Sequence, residues 1–443
     1  MSCLDTEIII EIENLQQQIA SLLLYQSVLK KTVGESFLQL LESLSKNDGI
    51  KIECFRAYGN WFRTIASENI SWQEYLISQI ILDDNPFSQQ VQKIDTTNLS
   101  PNLIAAVKHD LQILQNLYRC NGKTISQWVK IIAKLEKIPI VWELELERKE
   151  PIYQQLINLE NWEDAIDILA VHYRNFGTGL FAESIAFEWR NGQLLTITYP
   201  DSVKLEELVG YEFQRDTLIK NTEFLIAGYS ALNVLLYGSR GTGKSSLVKA
   251  LLNEYSQRNL RLVEVAKSDL KDLPLIVEKL RNVPQKFIIF VDDLSFEEDD
   301  DIFKALKVVL EGNLTAKPAN VVVYATSNRR HLIREFFNDR PSPKDSDEVN
   351  NWDTVQEKLS FSDRFGLTLT FEPANQDTYL KIVRHLAKQE KINLSPEDLD
   401  FQALQWATRN NGRSGRTARQ FIDFISANLA VLRSKEEGKS KKE

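Results

Sequence analysis

Cysteine is scarce in this chain of 443 residues: Cys3, Cys54 and Cys120 are the only three. They stand far apart and make neither a metal-ligand spacing nor an even-numbered disulfide framework, so they read as free thiols in a reducing compartment. Positive charge is missing from the N-terminus, where Asp5, Glu7, Glu11 and Glu13 replace the basic and then unbroken apolar residues of a secretory signal. No run reaches the roughly eighteen apolar residues that a membrane helix requires. A cytoplasmic chain with no membrane partner is expected. The net charge of -9 argues against sequence-independent attraction to nucleic acid or anionic lipid. A helix-turn-helix appendage with a basic recognition face, zinc-finger spacing and internal repeats are also lacking, which leaves a nucleic-acid partner open but unsupported. The Asn-Lys-x-Asp signature of guanine-nucleotide sites does not occur either.

What is present is an ordinary globular composition, 43% hydrophobic and 26% charged, in a chain too long for one core. From residue 7 to about 174 apolar residues recur at helical spacing, as in Phe37, Leu38, Leu41 and Leu44, Leu103 through Leu114, and Trp162, Ala165, Ile166 and Leu169. This predicts a mainly helical N-terminal domain over 1–184 whose Trp and Leu stripes pack a core rather than hold a cofactor. Gly177-Thr178-Gly179 has no buried strand before it and no Lys after it, and is not read as a phosphate loop. Arg190-Asn191-Gly192 between strand-like runs predicts a hairpin, placed with a linker at 185–204. Beyond Pro200, strands alternate with amphipathic helices, the pattern of a parallel α/β sheet. An α/β domain over 205–372 follows, with strands at 233–237, 260–265, 287–291, 321–326 and 367–371. Residues 338–356, rich in Pro, Asp, Ser and Asn, read as an inserted loop. A helical lid is expected over 373–432 and a disordered tail over 433–443.

Chemistry concentrates in the α/β half. Gly238-Ser239-Arg240-Gly241-Thr242-Gly243-Lys244-Ser245 fits the G-x-x-x-x-G-K-[ST] phosphate loop in full, between the apolar run Val234-Leu235-Leu236-Tyr237 and the helical run Leu247 to Tyr255, and Ser246 is counted with the loop as nucleotide-binding. Such a loop offers backbone N–H groups and a helix dipole to phosphate, with Lys244 for the β- and γ-phosphates and the Ser245 hydroxyl for Mg²⁺. Mg²⁺ takes hard oxygen ligands, so a carboxylate is expected at the end of a neighbouring strand. Phe287-Ile288-Ile289-Phe290-Val291-Asp292-Asp293 supplies it, with Asp292 on the metal side. Asp293 is the candidate base that polarises water. Its side chain is one methylene shorter than that of Glu, and it could instead cap the next helix. The acidic residues 297–301 read as a solvated helix start. Asn328 follows a strand tip, where it could orient water beside the γ-phosphate or make an ordinary turn. Arg364, in Ser362-Asp363-Arg364-Phe365-Gly366, could project into another subunit's site as an arginine finger or pair with carboxylates at the surface. Ser414-Gly415-Arg416-Thr417-Ala418-Arg419 opens a lid helix whose Arg416, or else Arg419, could meet the γ-phosphate.

Together these motifs resemble the AAA+ superfamily. The runs Gly210-Tyr211-Glu212 through Asn221-Thr222-Glu223, Gly238 through Glu254, Val291-Asp292-Asp293-Leu294-Ser295-Phe296, Ala325-Thr326-Ser327-Asn328-Arg329-Arg330-His331-Leu332 and residues 359–366 are similar to a bacterial AAA+ group, domain of unknown function family 815, described as ATP-binding proteins. The resemblance implies an AAA+ P-loop core with a five-stranded parallel sheet and a small C-terminal helical lid. It places Val209, Gly210 and Tyr211 near adenine, with ATP and Mg²⁺ as cofactors, and it implies no substrate. An ATPase acting as a ring or dimer with shared sites is expected, hydrolysing ATP to ADP and phosphate and remodelling a protein or assembly partner held by the N-terminal domain. A slowly hydrolysing switch or scaffold is the alternative. A DNA-linked initiator or loader is another, since the Asp-Asp pair is similar to that of bacterial replication initiators.

Overall fold

Side-chain oxygens mark where helices begin, because they take N–H groups that the first turn leaves free. The computed structural model describes residues 3–46, 51–144, 150–294, 318–328, 364–410 and 412–440, with Leu306 and Leu310. The sequence-predicted insertion at 338–356 and acidic start at 297–301 lie outside the described residues. Two units are formed, Met1–Glu183 and Ser184–Glu443.

Among the described residues of the first unit, the helices are α1 (Cys3–Ala20), α2 (Thr32–Ser45), α3 (Lys51–Glu68), α4 (Trp72–Leu82), α5 (Pro86–Val91), α6 (Pro101–Arg119), α7 (Gly122–Ile132), α8 (Pro151–Ile157), α9 (Ile166–Phe176) and α10 (Gly179–Glu183). Ser71, Asn85 and Asn121 cap α4, α5 and α7 by accepting backbone N–H groups. The periodic residues turn inward: Phe37, Leu41, Leu114, Trp162 and Leu169 are buried. Phe37 lies 4.1 Å from the Trp72 ring, which stacks on Tyr75 at 5.6 Å. Each such aromatic pair contributes about 0.5–1.5 kcal/mol beyond its buried area. Asp110 is fully buried, yet accepts the N–H groups of Leu23, Leu24 and Tyr25 at 3.0, 2.7 and 3.0 Å. Its buried oxygens are therefore satisfied by these backbone donors. Gly177 terminates α9, and Thr178 donates to Asp84 at 3.1 Å, so this glycine-rich triplet is a bonded turn.

The second unit is built on one seven-stranded sheet of β1 (Ala186–Arg190), β2 (Gln193–Thr196), β3 (Val234–Gly238), β4 (Leu260–Val265), β5 (Lys286–Val291), β6 (Val321–Ser327) and β7 (Leu367–Phe371). The order is β2-β1-β4-β5-β6-β3-β7. All neighbours are parallel except β1 and β2. β5 and β6 are covered on both faces, which explains their uninterrupted apolar sequence. The expected five strands are present, and the hairpin predicted at 185–204 adds two more. Phe187 pairs with Val263, and Phe187 and Trp189 are fully buried, so the hairpin extends the sheet beside β4.

Helices α11 (Glu212–Ile226), α12 (Lys244–Tyr255) and α13 (Leu273–Leu280) belong to the same unit. Asn320 pins the start of β6 by donating to the carbonyls of Leu280, Val283 and Gln285. Tyr324, buried in β6, meets Asn221 and Thr222 of α11 through its hydroxyl. A lid follows: α14 (Gln376–Gln389), α15 (Pro396–Arg409) and α16 (Gly415–Ser440), packed through Tyr379, Val383, Ala403, Ala418 and Ile422. The tail expected to be disordered from residue 433 instead continues α16 to Ser440. Lys, Glu and Ser extend a helix at small cost once it is nucleated, and low apolar content does not stop it. Sheet, phosphate loop and lid all belong to the second unit. No helix among the described residues is long and apolar enough to cross a membrane.

Candidate functional site

The loop from β3 to α12 turns where only glycine fits. At Gly238 φ is +141°, and a Cβ there would lie 1.9 Å from the Phe371 carbonyl oxygen of β7. Ser239 N donates to that same carbonyl at 3.2 Å, so the loop leaves the sheet while still bonded to it. Thr242 Oγ1 donates back to Ser239 O at 2.9 Å. Gly243, in the left-handed region, is the residue before α12. The first N–H groups of α12 therefore open toward the loop, as an anion site requires.

Lys244 is 6% exposed and donates to Gly238 O and Ser239 O, each at 2.8 Å, and to Asn328 Oδ1 at 3.4 Å. Burial pushes its pKa below the ordinary lysine value; Arg416 adds in the same sense, and Asp292 and Asp293 oppose it. An incoming phosphate would favour the charged form. Ser245 Oγ donates to Asp292 Oδ1 at 2.7 Å. The same oxygen accepts from Thr326 Oγ1 at 2.5 Å and from the Asp293 N–H at 3.2 Å. Asp293 has φ +52°, a conformation that costs a non-glycine residue energy and is held by its surroundings. Its N–H also donates to Thr326 Oγ1 at 3.0 Å, and its Oδ1 accepts from Asn328 Nδ2 at 2.6 Å. Lys244, Ser245, Asp292, Asp293, Asn328 and Thr326 thus form one network across the ends of β3, β5 and β6.

These groups line a cavity of about 550 Å³. Its lining includes Arg240, Gly241, Thr242, Gly243, Lys244, Ser245 and Ser246 of the loop, bonded to Asp292 and Asn328, with Asp293 and Thr326 beside them. Leu208, Val209, Tyr211, Ile382 and Leu386 supply a largely apolar part of the same lining. Gly210 does not line the cavity. Its φ is +95°, and a Cβ would come within 2.8 Å of Thr378 on the lid. Tyr211 turns its hydroxyl to Glu372 O at 2.7 Å. Gly238 and Ser239 contribute carbonyls behind Lys244.

The lid arginines part company. Arg416 lines the cavity and its N–H donates to Gly241 O at 3.1 Å; it has no ion-pair partner among the described residues. Arg419 also lines the cavity, but is paired with Glu207 at 2.5 Å and Glu390 at 3.5 Å. Arg364, immediately before β7, is not among the cavity-lining residues. Thr326, Glu207, Arg215 and Gln420 line the cavity without having been singled out from sequence. Thr326 alone carried a signal: a hydroxyl at the tip of a buried strand beside the Asp292 strand. Residues 329–332 and 359–363 lie outside the described residues.

Among the described residues no three His, Cys, Asp or Glu side chains converge on a common point. A hydroxyl beside a carboxylate, with phosphate and water completing the shell, suits Mg²⁺, which keeps several waters and seldom relies on an all-protein cage. The donor set and the apolar slot fit a magnesium nucleotide.

A family model described as "Protein of unknown function (DUF815)" matches residues 182–429. No curated protein matches the chain. Among solved structures, the chain is similar to the RuvB Holliday junction branch migration motor of Thermotoga maritima, at 16% identity over 52% of this chain and 66% of that one, with a TM-score of 0.36. It is also similar to AMPPCP-bound DnaA from Aquifex aeolicus, at 20% identity over 55% of this chain and 72% of that one, with a TM-score of 0.35. The chain spans just under two thirds of the RuvB structure.

Proposed function

The chain belongs to the DUF815 family of proteins of unknown function, and from that premise we propose that it is an oligomeric ATPase whose turnover remodels a protein partner engaged by the helical unit. One observation carries the reading: the ends of β3, β5 and β6 bring Lys244, Ser245, Asp292, Asp293 and Asn328 into a single hydrogen-bonded network on one wall-to-wall cavity. Magnesium ATP, when bound, supplies the electrophilic γ-phosphoryl group and the metal that offsets its charge. The loop amides and Lys244 hold the phosphates. Ser245 and Asp292 hold the metal side, and Asn328 orients Asp293, which takes the proton of the attacking water. Arg416 reaches the phosphate end from the lid, and the apolar slot takes the base. Buried free thiols at Cys54 and Cys120 suit the reducing cytoplasm.

The test is phosphate release by the full chain with ATP and Mg²⁺. Specific activity should rise with protein concentration as sites are completed between copies. Tight ATP binding with no phosphate release would remove the hydrolytic reading and leave the switch. The short Asp293 side chain, already bonded to Asn328 at 2.6 Å, favours that second reading to the extent that turnover is slow.

Thr326→Val keeps the side-chain volume but removes the hydroxyl that donates to Asp292 and accepts from Asp293 N–H. Its Mg²⁺ requirement for turnover should rise about 10- to 100-fold, as for loss of groups that orient metal ligands. A magnesium titration at saturating ATP measures this, and an unchanged midpoint would show that Thr326 does not orient the site.

A further inference from the structure

Residues 205–212 run between the sheet and the lid and are fastened to both. On the sheet side, Leu205, Leu208 and Tyr211 pack against its apolar core. On the lid side, Val209 packs into the lid cluster, Lys381 lies 2.6 Å from Glu212, and His385 Nε2 lies 2.7 Å from Glu206 O. The Lys381 ammonium, with the Gly210 N–H, holds the Glu212 carboxyl down at about 2, so this outer tie stays charged at ordinary pH. The remaining tie is Arg419 to Glu207, and it differs from the others because both partners line the nucleotide cavity.

We propose that Glu207 and Arg419 form a latch that holds the lid over the base end of a bound nucleotide, so that its opening sets the rate of nucleotide release. The idea rests on the nucleotide-binding reading above. Arg419 spends its charge on Glu207 and Glu390, whereas Arg416, one turn earlier on α16, has no ion pair among the described residues. Two arginines on one helix face thus divide the work: Arg416 meets phosphate, and Arg419 fixes the helix that presents it. The Arg419 and Glu207 side chains are 36% and 22% exposed, so water screens them less than a fully exposed pair. Glu207 also accepts from Lys204 N–H at 3.3 Å, which stiffens its side of the latch. Both are positioning residues.

The experiment is stopped-flow release of a fluorescent ADP analogue from the full chain, chased with excess ADP. Glu207→Gln and Arg419→Gln should each speed release about fivefold, the ratio given by a coupling of about 1 kcal/mol. The double variant should release no faster than the quicker single variant. Arg419→Lys, which keeps the charge, should retain most of the slow release and separates latch loss from misfolding. Unchanged release in both single variants, or additive acceleration in the double, overturns the latch. Failure of the wild-type chain to bind the analogue overturns the nucleotide-binding reading and the latch with it, whereas normal binding with unchanged release overturns the latch alone.

Discussion

Lys244→Ala is expected to fold and to lose measurable affinity for ATP and ADP. The ammonium sits 6% exposed behind the phosphate loop, held by two carbonyls and Asn328. Those partners hold the ammonium beside the loop whose amides would receive phosphate, so its position is set before ligand arrives. Hydrogen bonds to charged groups contribute about 1.5–3 kcal/mol each. Losing one of them should weaken binding at least about tenfold, and losing two at least about 100-fold. Stability should change little, because burial already disfavours the charge and alanine is a good helix former at the first position of α12. Calorimetric titration with ATP, beside far-ultraviolet circular dichroism, separates the two effects. Wild-type affinity in a folded Lys244→Ala chain would sink the phosphate-loop assignment.

The phosphate loop was legible because its information is local: glycines, lysine and serine at fixed spacing, a buried strand before and a helix after. Asp292, Asp293 and Asn328 were legible for a related reason, since the ends of buried parallel strands meet on one edge of a sheet. The role of the hairpin was not. Asn191-Gly192 marks a turn, but the pairing of β1 with β4 depends on a partner far along the chain, which no local pattern specifies. Nor could sequence choose between Arg416 and Arg419. The difference between them lies with Glu207, which stands between β2 and β3 in the chain yet pairs with Arg419 of the lid. Thr326 does not stand out in sequence, because a threonine in a run of valines fits a buried sheet whether or not its hydroxyl is used. The last turns of α16 were misread for the opposite reason: low apolar content suggests disorder only when no packed helix leads into it.

Arg364→Ala should lower turnover by about a thousandfold or more while leaving ADP affinity near that of wild type, the effect of removing an arginine finger. The position argues for action outside its own protomer. Arg364 precedes β7, whose Leu367 is fastened to Asn233 by a 3.1 Å bond, and Phe365 beside it is buried. The backbone at this edge strand is therefore fixed, and Arg364 does not line its own cavity, where lid arginines already stand. If the finger serves a second copy, two inactive variants should repair each other. An Arg364→Ala chain keeps an intact phosphate loop but offers no finger; a Lys244→Ala chain offers the finger but holds no nucleotide. Mixed in equal amounts, the two should recover a substantial fraction of wild-type phosphate release, since some interfaces pair a working loop with a working arginine. Recovery should appear only above the concentration at which copies associate, which sedimentation measures independently. A mixture that associates but stays as inactive as its parts would place Arg364 outside the catalytic arrangement and return the charge-stabilising role to Arg416 alone.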